Sequence, residues 1–309
     1  MNPVGTPHEP AAPGARPGRL AVGVIGAGRV GAVLGAALRA AGHRIIAVSA
    51  ISDASRRRAE ALLPGVEIRP ADAIGPDADL LLLAAPDDAL PTLVEGLAGA
   101  GGLRAGQFVA HTSGRHGIDV LEPATAIGAL PLALHPVMTF TGTSVDLERL
   151  AGVCFGVTAP EILRPVAETL VLEVGGDPVW ITEANRPLYH AALAHAANHL
   201  VALVASSMDL LRRAGADDPQ RMLGPLLSAA LDNALRYGDS GLTGPVARGD
   251  AGTVRTHLDV LVSVSPEIAA AYVAMARLTA DRALASGLLA PDAAVELLDV
   301  LAGRREAAG

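Results

Sequence analysis

The chain has 309 residues, half of them apolar, and a formal net charge of −8. This length suggests two domains of roughly 100–200 residues each, and the apolar content suffices for a sizeable core. The acidic balance and the short basic run Arg56-Arg57-Arg58 exclude a general nucleic-acid binder, because phosphate neutralisation needs a broad basic face.

The basic residues and the cysteine narrow the possible chemistry. All 24 basic residues are Arg, so Schiff-base chemistry, a Walker-type lysine and lysine acid–base catalysis are excluded. The single cysteine, Cys154, excludes an internal disulfide and a cysteine-built zinc site, and it indicates a reducing, cytoplasmic compartment. We expect a small-molecule substrate, with no nucleic acid and no membrane as partner.

Strand and helix patterns alternate through most of the chain. The Pro-, Gly- and Ala-rich residues 1–19 predict a disordered tail. Between residues 20 and 182, alternation predicts a doubly wound, mostly parallel α/β sheet. The predicted strands are 20–25, 44–49, 80–84, 107–112, 130–135, 153–158 and 179–182, with helices at 30–41 and 161–172.

Helical patterns alone follow residue 182. They occupy 183–213, 219–237, 252–263, 266–286 and 291–305. The sequence therefore predicts a tail at 1–19, a nucleotide-binding domain at 20–182 and an all-α domain at 183–309 for substrate binding and dimerisation. A symmetric homodimer is the expected assembly.

A glycine motif lies between the first predicted strand and helix. It reads Gly26-Ala27-Gly28-Arg29-Val30-Gly31, a GxGxxG pattern in the context that dinucleotide binding requires. Gly26 allows the tight turn, Gly28 lets a pyrophosphate approach the backbone, and Gly31 permits close helix packing. The alternative is a glycine-rich turn that binds nothing.

The end of the second strand favours NADP over NAD. It carries no acid at the position where NAD sites hold a ribose diol, and Ser52, Ser55 and Arg56 follow it. Hydroxyl and guanidinium groups suit a 2′-phosphate. Two alternatives stay open: Asp53 binds the diol, or the arginines form a solvated helix face.

Further candidates follow the later strands. Ala85 and Pro86 come after the third clear strand, and Ser113 follows the next one, so we expect all three beside the cofactor. His135 ends the 130–135 strand and is a candidate catalytic residue. The alternative is that Ser113 closes a turn and His135 bonds the backbone.

The long helix at 183–213 carries a polar stripe. Arg186, His190, Ala194 and Asn198 recur every four residues and share one face. His190 and Asn198 are therefore candidate catalytic residues, because buried polar groups need partners or a ligand. A metal site is not predicted, because the His195–His199 spacing lacks a third ligand.

The segment 242–253 carries the last candidates. Arg248 is suited to bind a substrate carboxylate. Asp250 either orients Arg248 or caps the following helix, and a purely structural loop is the alternative.

Six segments together resemble a known family. They are GAGRVG, AAPDDAL, HTSGRHG, LHPVMTF, YHAALAHAANHLVAL and LTGPVARGD, in this order. They resemble Rossmann-like oxidoreductases with a helical C-terminal domain, from residue 20 to about residue 285. This family is similar in build to pyrroline-5-carboxylate reductases and, more loosely, to ketopantoate reductases and β-hydroxyacid dehydrogenases.

The resemblance implies an NADPH-dependent reductase of a small carbonyl compound that carries a carboxylate, such as a ketopantoate-like 2-oxo acid. The related dehydrogenases use a KxxxN motif in which Lys donates the proton. Asn198 matches the Asn, but Ala194 occupies the Lys position, so His190 or His135 must donate instead. Two alternatives stay open: a cyclic-imine reductase, whose substrate arrives charged, and a non-catalytic NADP-binding sensor or scaffold.

Overall fold

The structure is a computed structural model that describes residues 18–303. The predicted disorder of residues 1–19 falls almost entirely outside the described residues. Eight strands lie in the described part: β1 Ala21–Ile25, β2 Arg44–Ser49, β3 Glu67–Ile68, β4 Leu80–Leu83, β5 Phe108–His111, β6 Leu130–Pro136, β7 Cys154–Thr158 and β8 Asp177–Trp180.

The helices before the long polar helix alternate with these strands. They are α1 Arg29–Ala40, α2 Asp53–Leu62, α3 Leu90–Gly99, α4 Glu122–Thr125, α5 Val145–Arg149 and α6 Arg164–Glu173. The remaining helices are α7 Arg186–Arg213, α8 Pro219–Tyr237, α9 Gly244–Arg248, α10 Ala251–Val264, α11 Pro266–Ala285 and α12 Pro291–Leu301.

One eight-stranded sheet has the order β3-β2-β1-β4-β5-β6-β7-β8. All neighbouring strands are parallel except β6 and β7, which pair antiparallel. This confirms the predicted mostly parallel α/β fold with a helical C-terminal region. The chain moves outward from β1 in both directions, so the carboxyl ends of β1 and β4 form a switch point, where ligands bind in such sheets.

Aliphatic side chains hold the sheet between two helical layers. All four residues of β4 are buried, as expected for a strand covered on both faces. Val22, Val24 and Val33 belong to the core on one side, while Leu81 and Val94 belong to the core on the other. The aliphatic core predicted from composition is confirmed.

The chain divides into two compact units between Ala196 and Ala197. The second unit has its own aliphatic core, which includes Val254, Ala280 and Leu297. Several short elements were not predicted. They include β3, which has two residues, the helices α4 and α5, and α9, which lies inside the segment 242–253.

Candidate functional site

The glycine turn between β1 and α1 is shaped for close approach. Gly26 has φ +96°, and a Cβ atom there would lie 2.6 Å from the carbonyl oxygen of Ala84. Gly31 packs so tightly that a Cβ would collide with the Gly26 carbonyl. Gly28, by contrast, faces open space. The turn therefore packs on the end of β4 and leaves its outer face free.

The first turn of α1 has no side-chain cap. Gly28 is the N-cap, and the first turn holds no acidic residue. The backbone N–H groups at this end lack helical partners and carry the positive end of the helix dipole. They fit an anion that approaches over Gly28, whose surroundings are open. Arg29 and Val30, also predicted for the cofactor, begin this helix.

The serines after β2 form a helix cap. The Ser52 hydroxyl accepts a hydrogen bond from the Ser55 backbone N–H (3.1 Å), and the Ser55 hydroxyl donates to the Ser52 carbonyl (2.7 Å). Ser55 is buried, while Ser52 and Arg56 are exposed. Ser52 and Arg56 therefore lie at the surface, whereas the Ser55 hydroxyl is buried within the cap.

The loops after β4 and β5 contain the other three predicted cofactor residues. Ala85 is half-buried and Pro86 is exposed beside the glycine turn. Ser113 is buried, and its hydroxyl accepts a hydrogen bond from the His116 backbone N–H (3.1 Å). The Ser113 side chain thus closes a turn, as the alternative interpretation of the sequence predicts. The backbone of Ser113 still borders the site.

His135 is held by a tyrosine. Its Nδ1 lies 2.7 Å from the Tyr189 hydroxyl, and the two rings meet edge to face at 5.6 Å. Gly156 packs directly against this hydroxyl, because a Cβ at Gly156 would collide with it. Burial raises the pKa of Tyr189 to about 12, so the phenol stays protonated.

The charge state of His135 follows from its surroundings. One hydrogen bond joins the Tyr189 hydroxyl to His135 Nδ1, and the tautomer of the imidazole decides which group donates. Burial, with help from the nearby Arg186 and His190, lowers the pKa of His135 to about 4. At neutral pH, His135 is thus a neutral imidazole, with Nδ1 toward Tyr189 and Nε2 toward Gly114.

Four chain segments meet around that Nε2 atom. A Cβ at Gly114 would lie 2.9 Å both from His135 Nε2 and from His190 Cδ2. His190 Nε2 is 4.0 Å from an Asp87 carboxylate oxygen, and His116 Nε2 is 3.1 Å from the Asp87 carbonyl. The structure therefore brings the predicted His135 and His190 together, with Asp87 at the loop beyond β4.

Arg186 is the buried anchor of this site. The residue is 1% exposed. Its guanidinium donates to Thr158 Oγ1 (2.8 Å) and to three carbonyl groups. The carbonyls belong to Gly156 (3.0 Å), Ala133 (3.2 Å) and Ser113 (3.4 Å). No acid of residues 18–303 forms an ion pair with it, so its charge lowers the pKa of the neighbouring histidines.

Glu183 fixes the loop after β5 to the segment that precedes α7. Its carboxylate accepts hydrogen bonds from the backbone N–H groups of Ile118 (2.7 Å) and Asp119 (3.4 Å). A Cβ at Gly117 would collide with the same carboxylate. The loop that carries Gly114 and the helix that carries His190 are therefore tied together.

His111 is expected to make stability depend on pH. Its Nε2 donates to the Gly117 carbonyl (2.7 Å) and its Nδ1 accepts from the Ser113 N–H (3.2 Å). Burial lowers its pKa from 6.5 to about 4. The unfolded chain therefore binds the proton first, and about 3 kcal/mol of stability is lost as the pH falls from 6.5 to 4.

Urea unfolding at several pH values checks this prediction. His111→Gln is expected to be less stable at neutral pH, but to lose less stability over that pH range than the unmodified chain. His135 adds a similar dependence, so part of the slope remains in the variant. An unchanged slope would contradict the assignment.

Three predicted site residues lie in the second unit. Asn198 and Arg248 are exposed. Asp250 is the N-cap of α10, where it accepts hydrogen bonds from the Thr253 N–H (3.0 Å) and hydroxyl (2.7 Å). The capping alternative thus describes its contacts. Among residues 18–303, no group of three or more metal-ligating side chains fits a metal ion.

Two segments of the chain match described families. Residues 6–136 match the Rossmann-like domain, and residues 153–279 match the domain of unknown function DUF2520. No curated protein matches the chain.

Solved structures share the fold at low identity. A candidate NADP oxidoreductase from Bacteroides fragilis is 21% identical, with TM-score 0.73 over 85% of this chain and 98% of that one. An imine reductase from a Pseudomonas species is 20% identical (TM-score 0.62; 92% and 100%). Pyrroline carboxylate reductase from Plasmodium falciparum, solved with NADP bound, is 9% identical (TM-score 0.54; 84% and 98%).

Proposed function

For a chain that joins a Rossmann-like domain to a DUF2520 domain, we propose an NADPH-dependent oxidoreductase that reduces a small carbonyl compound carrying a carboxylate. The carrying observation is the neutral imidazole of His135 at the end of β6, whose Nε2 lies beside Gly114 and His190. The oxidoreductases that share the fold support the coarser reaction class.

The residues at the glycine turn fit the cofactor. Uncapped N–H groups of α1 and the open face of Gly28 would hold the diphosphate. Ser52 and Arg56, which are exposed after β2, would contact the 2′-phosphate, and Ala85, Pro86 and the Ser113 backbone would border the cofactor. When bound, NADPH supplies a hydride.

The chain's own residues would handle the proton and the charge. In the tautomer with its proton on Nε2, His135 would donate that proton to the developing alkoxide and take another at Nδ1 from the Tyr189 hydroxyl, which solvent would reprotonate. The buried Arg186 cation makes the region favourable for negative charge. The roles inferred from the sequence for Arg248, binding of the substrate carboxylate, and for Asn198, orientation of the carbonyl oxygen, stay predictions.

Cyclic-imine reduction is the second candidate. The low pKa of His135 makes an imidazolium scarce at neutral pH, and the chain has no lysine. An iminium carbon accepts hydride without a proton from the protein. This observation favours a substrate of the pyrroline-5-carboxylate kind.

An NADPH-consumption screen over 2-oxo acids, including ketopantoate, and cyclic imines tests the proposal. Turnover of either the 2-oxo acids or the cyclic imines supports the proposal. The dependence of the rate on pH separates ketone reduction from imine reduction. Calorimetry runs beside the screen. Binding of NADPH without any turnover would indicate a sensor or scaffold, and uptake of neither coenzyme would overturn the whole proposal.

We propose that a second copy of the chain packs against the exposed apolar surface of α7. Residues Glu183–Arg213 are long and apolar enough to cross a membrane by length and composition, with mean hydropathy 1.3. Polar side chains interrupt this surface, which favours a protein partner over lipid. They are His190, His195, Asn198 and His199. Arg186 is the one buried residue of α7 within the described chain.

A homodimer is the resulting prediction. Leu188, Val201 and Leu203 on α7 and Leu226 and Leu235 on α8 are exposed apolar side chains that a symmetric interface would bury. Sedimentation equilibrium is expected to give twice the chain mass, and Leu203→Glu is expected to give monomer. A monomeric unmodified chain would contradict the assembly.

A further inference from the structure

Two arginines from different helices converge on one glycine. Arg29 is the first residue of α1, Arg58 lies in the second turn of α2, and Gly142 lies in the loop between β6 and α5. A Cβ at Gly142 would be 2.9 Å from Arg29 Cγ and 2.8 Å from Arg58 Nε. Both side chains therefore lie against the backbone of Gly142.

A buried carboxylate holds that loop in place. Asp146 accepts hydrogen bonds from the N–H groups of Thr141 (2.8 Å) and Gly142 (2.7 Å) and from the Thr141 hydroxyl (3.0 Å). Gly142 has φ +81°, a conformation that favours glycine. The ion-pair partner of Asp146 is Arg149, at 4.0 Å, so this carboxylate does not neutralise Arg29 or Arg58.

The two guanidinium groups have no acidic partner among the described residues. Other arginines of this acidic chain do, such as Arg104 with Asp79 (3.0 Å) and Arg282 with Asp239 (2.7 Å). Positioned cations without counterions, one of them at the first residue of α1, form a site for an anion.

Arg58 faces a different side of α2 from its neighbouring arginines. Ser55 and Ala59 mark the buried side of this helix. Successive residues rotate by roughly 100°, so Arg58 borders the buried side and Arg57 lies opposite to it. The exposure agrees, because Arg58 is half-buried and Arg57 is exposed. Of the three arginines, Arg58 is the one that packs beside Gly142 with Arg29.

We propose that Arg29 and Arg58 clamp the 2′-phosphate of NADPH and determine the preference for NADPH over NADH. This inference rests on the proposed function and gives it a residue-level basis. The Gly142 loop contacts the Arg29 side chain at Cγ and the Arg58 side chain at Nε, so less side-chain freedom is lost on binding. Each charge-assisted contact is worth roughly 10–100-fold in affinity.

Calorimetry on the full chain tests the clamp with Arg58→Ala and Arg29→Ala. Either change is expected to raise the Kd of NADPH by roughly 10–100-fold and to leave the Kd of NADH unchanged. Arg57→Ala is the matched control, since it removes the same charge from the opposite side of the same helix. It is expected to keep the NADPH-to-NADH ratio. Adenosine 2′-phosphate, compared with adenosine 5′-phosphate, should follow the same pattern.

Three results would overturn the clamp but not the proposed function. In the first, Arg58→Ala raises the Kd of NADPH and the Kd of NADH by the same factor. In the second, Arg57→Ala changes the ratio of the two Kd values as much as Arg58→Ala does. In the third, the unmodified chain binds both coenzymes with the same affinity. Uptake of neither coenzyme would overturn the proposed function and the clamp together.

Discussion

Arg186→Met is expected to lower the free energy of unfolding by about 3–5 kcal/mol. The substitution removes a guanidinium that is 1% exposed and that donates to Thr158, Ser113, Ala133 and Gly156. Each acceptor loses a buried hydrogen bond from a charged donor, and each such bond is worth about 1.5–3 kcal/mol. Methionine fills much of the volume, so the loss reports the hydrogen bonds. Urea denaturation at neutral pH measures it.

Arg39→Met is the matched control for this measurement. Arg39 is exposed and donates to the Pro64 carbonyl (3.0 Å), so the same replacement there is expected to change stability by less than about 0.5 kcal/mol. The Arg186 variant should also raise the pKa of His135, because the cation that helps to lower it is gone. A loss below about 1 kcal/mol would contradict the role of Arg186 as an anchor.

His135→Gln is expected to lower kcat for a carbonyl substrate by roughly 10²–10⁴-fold, the range that a positioned general acid contributes. Gln keeps a polar side chain, but it has no ring with one nitrogen facing Tyr189 and another facing Gly114. The Kd of NADPH is expected to stay unchanged. Steady-state kinetics together with calorimetry check both quantities.

Tyr189→Phe separates positioning from proton donation. Phenylalanine leaves the imidazole in place but removes the hydroxyl that hydrogen-bonds its Nδ1 atom. We expect a smaller loss of kcat than in His135→Gln, with a shifted pH profile. With a cyclic imine, both variants should lose less than about tenfold. Full activity of His135→Gln on a 2-oxo acid would remove this residue from the chemistry.

The strands and long helices were predictable because their apolar patterns are strong. β2 and α8 begin and end where the sequence predicts, at 44–49 and 219–237. β3 was missed because two residues carry no periodic signal. α9 was missed because Gly244 and Pro245 indicate a turn, although Pro is also favourable in the first turn of a helix.

Side-chain partners were less predictable than the elements that carry them. His135 and His190 were identified from strand ends and helix spacing, but the Tyr189 contact depends on how α7 meets β6 and β7. Arg186 shares the predicted polar face, yet it binds backbone carbonyls that no spacing rule shows. Ser55 was predicted to bind a phosphate, but its hydroxyl bonds within the helix cap, because a serine suits either role.

The Glu183 carboxylate has a consequence for thermal motion. It binds the loop after β5 through two N–H groups, and it stands three residues before Arg186, where α7 begins. These hydrogen bonds restrain the loop and the helix start together. They therefore favour a constant distance between Gly114 and His190 when solvent-facing segments move more widely at higher temperature.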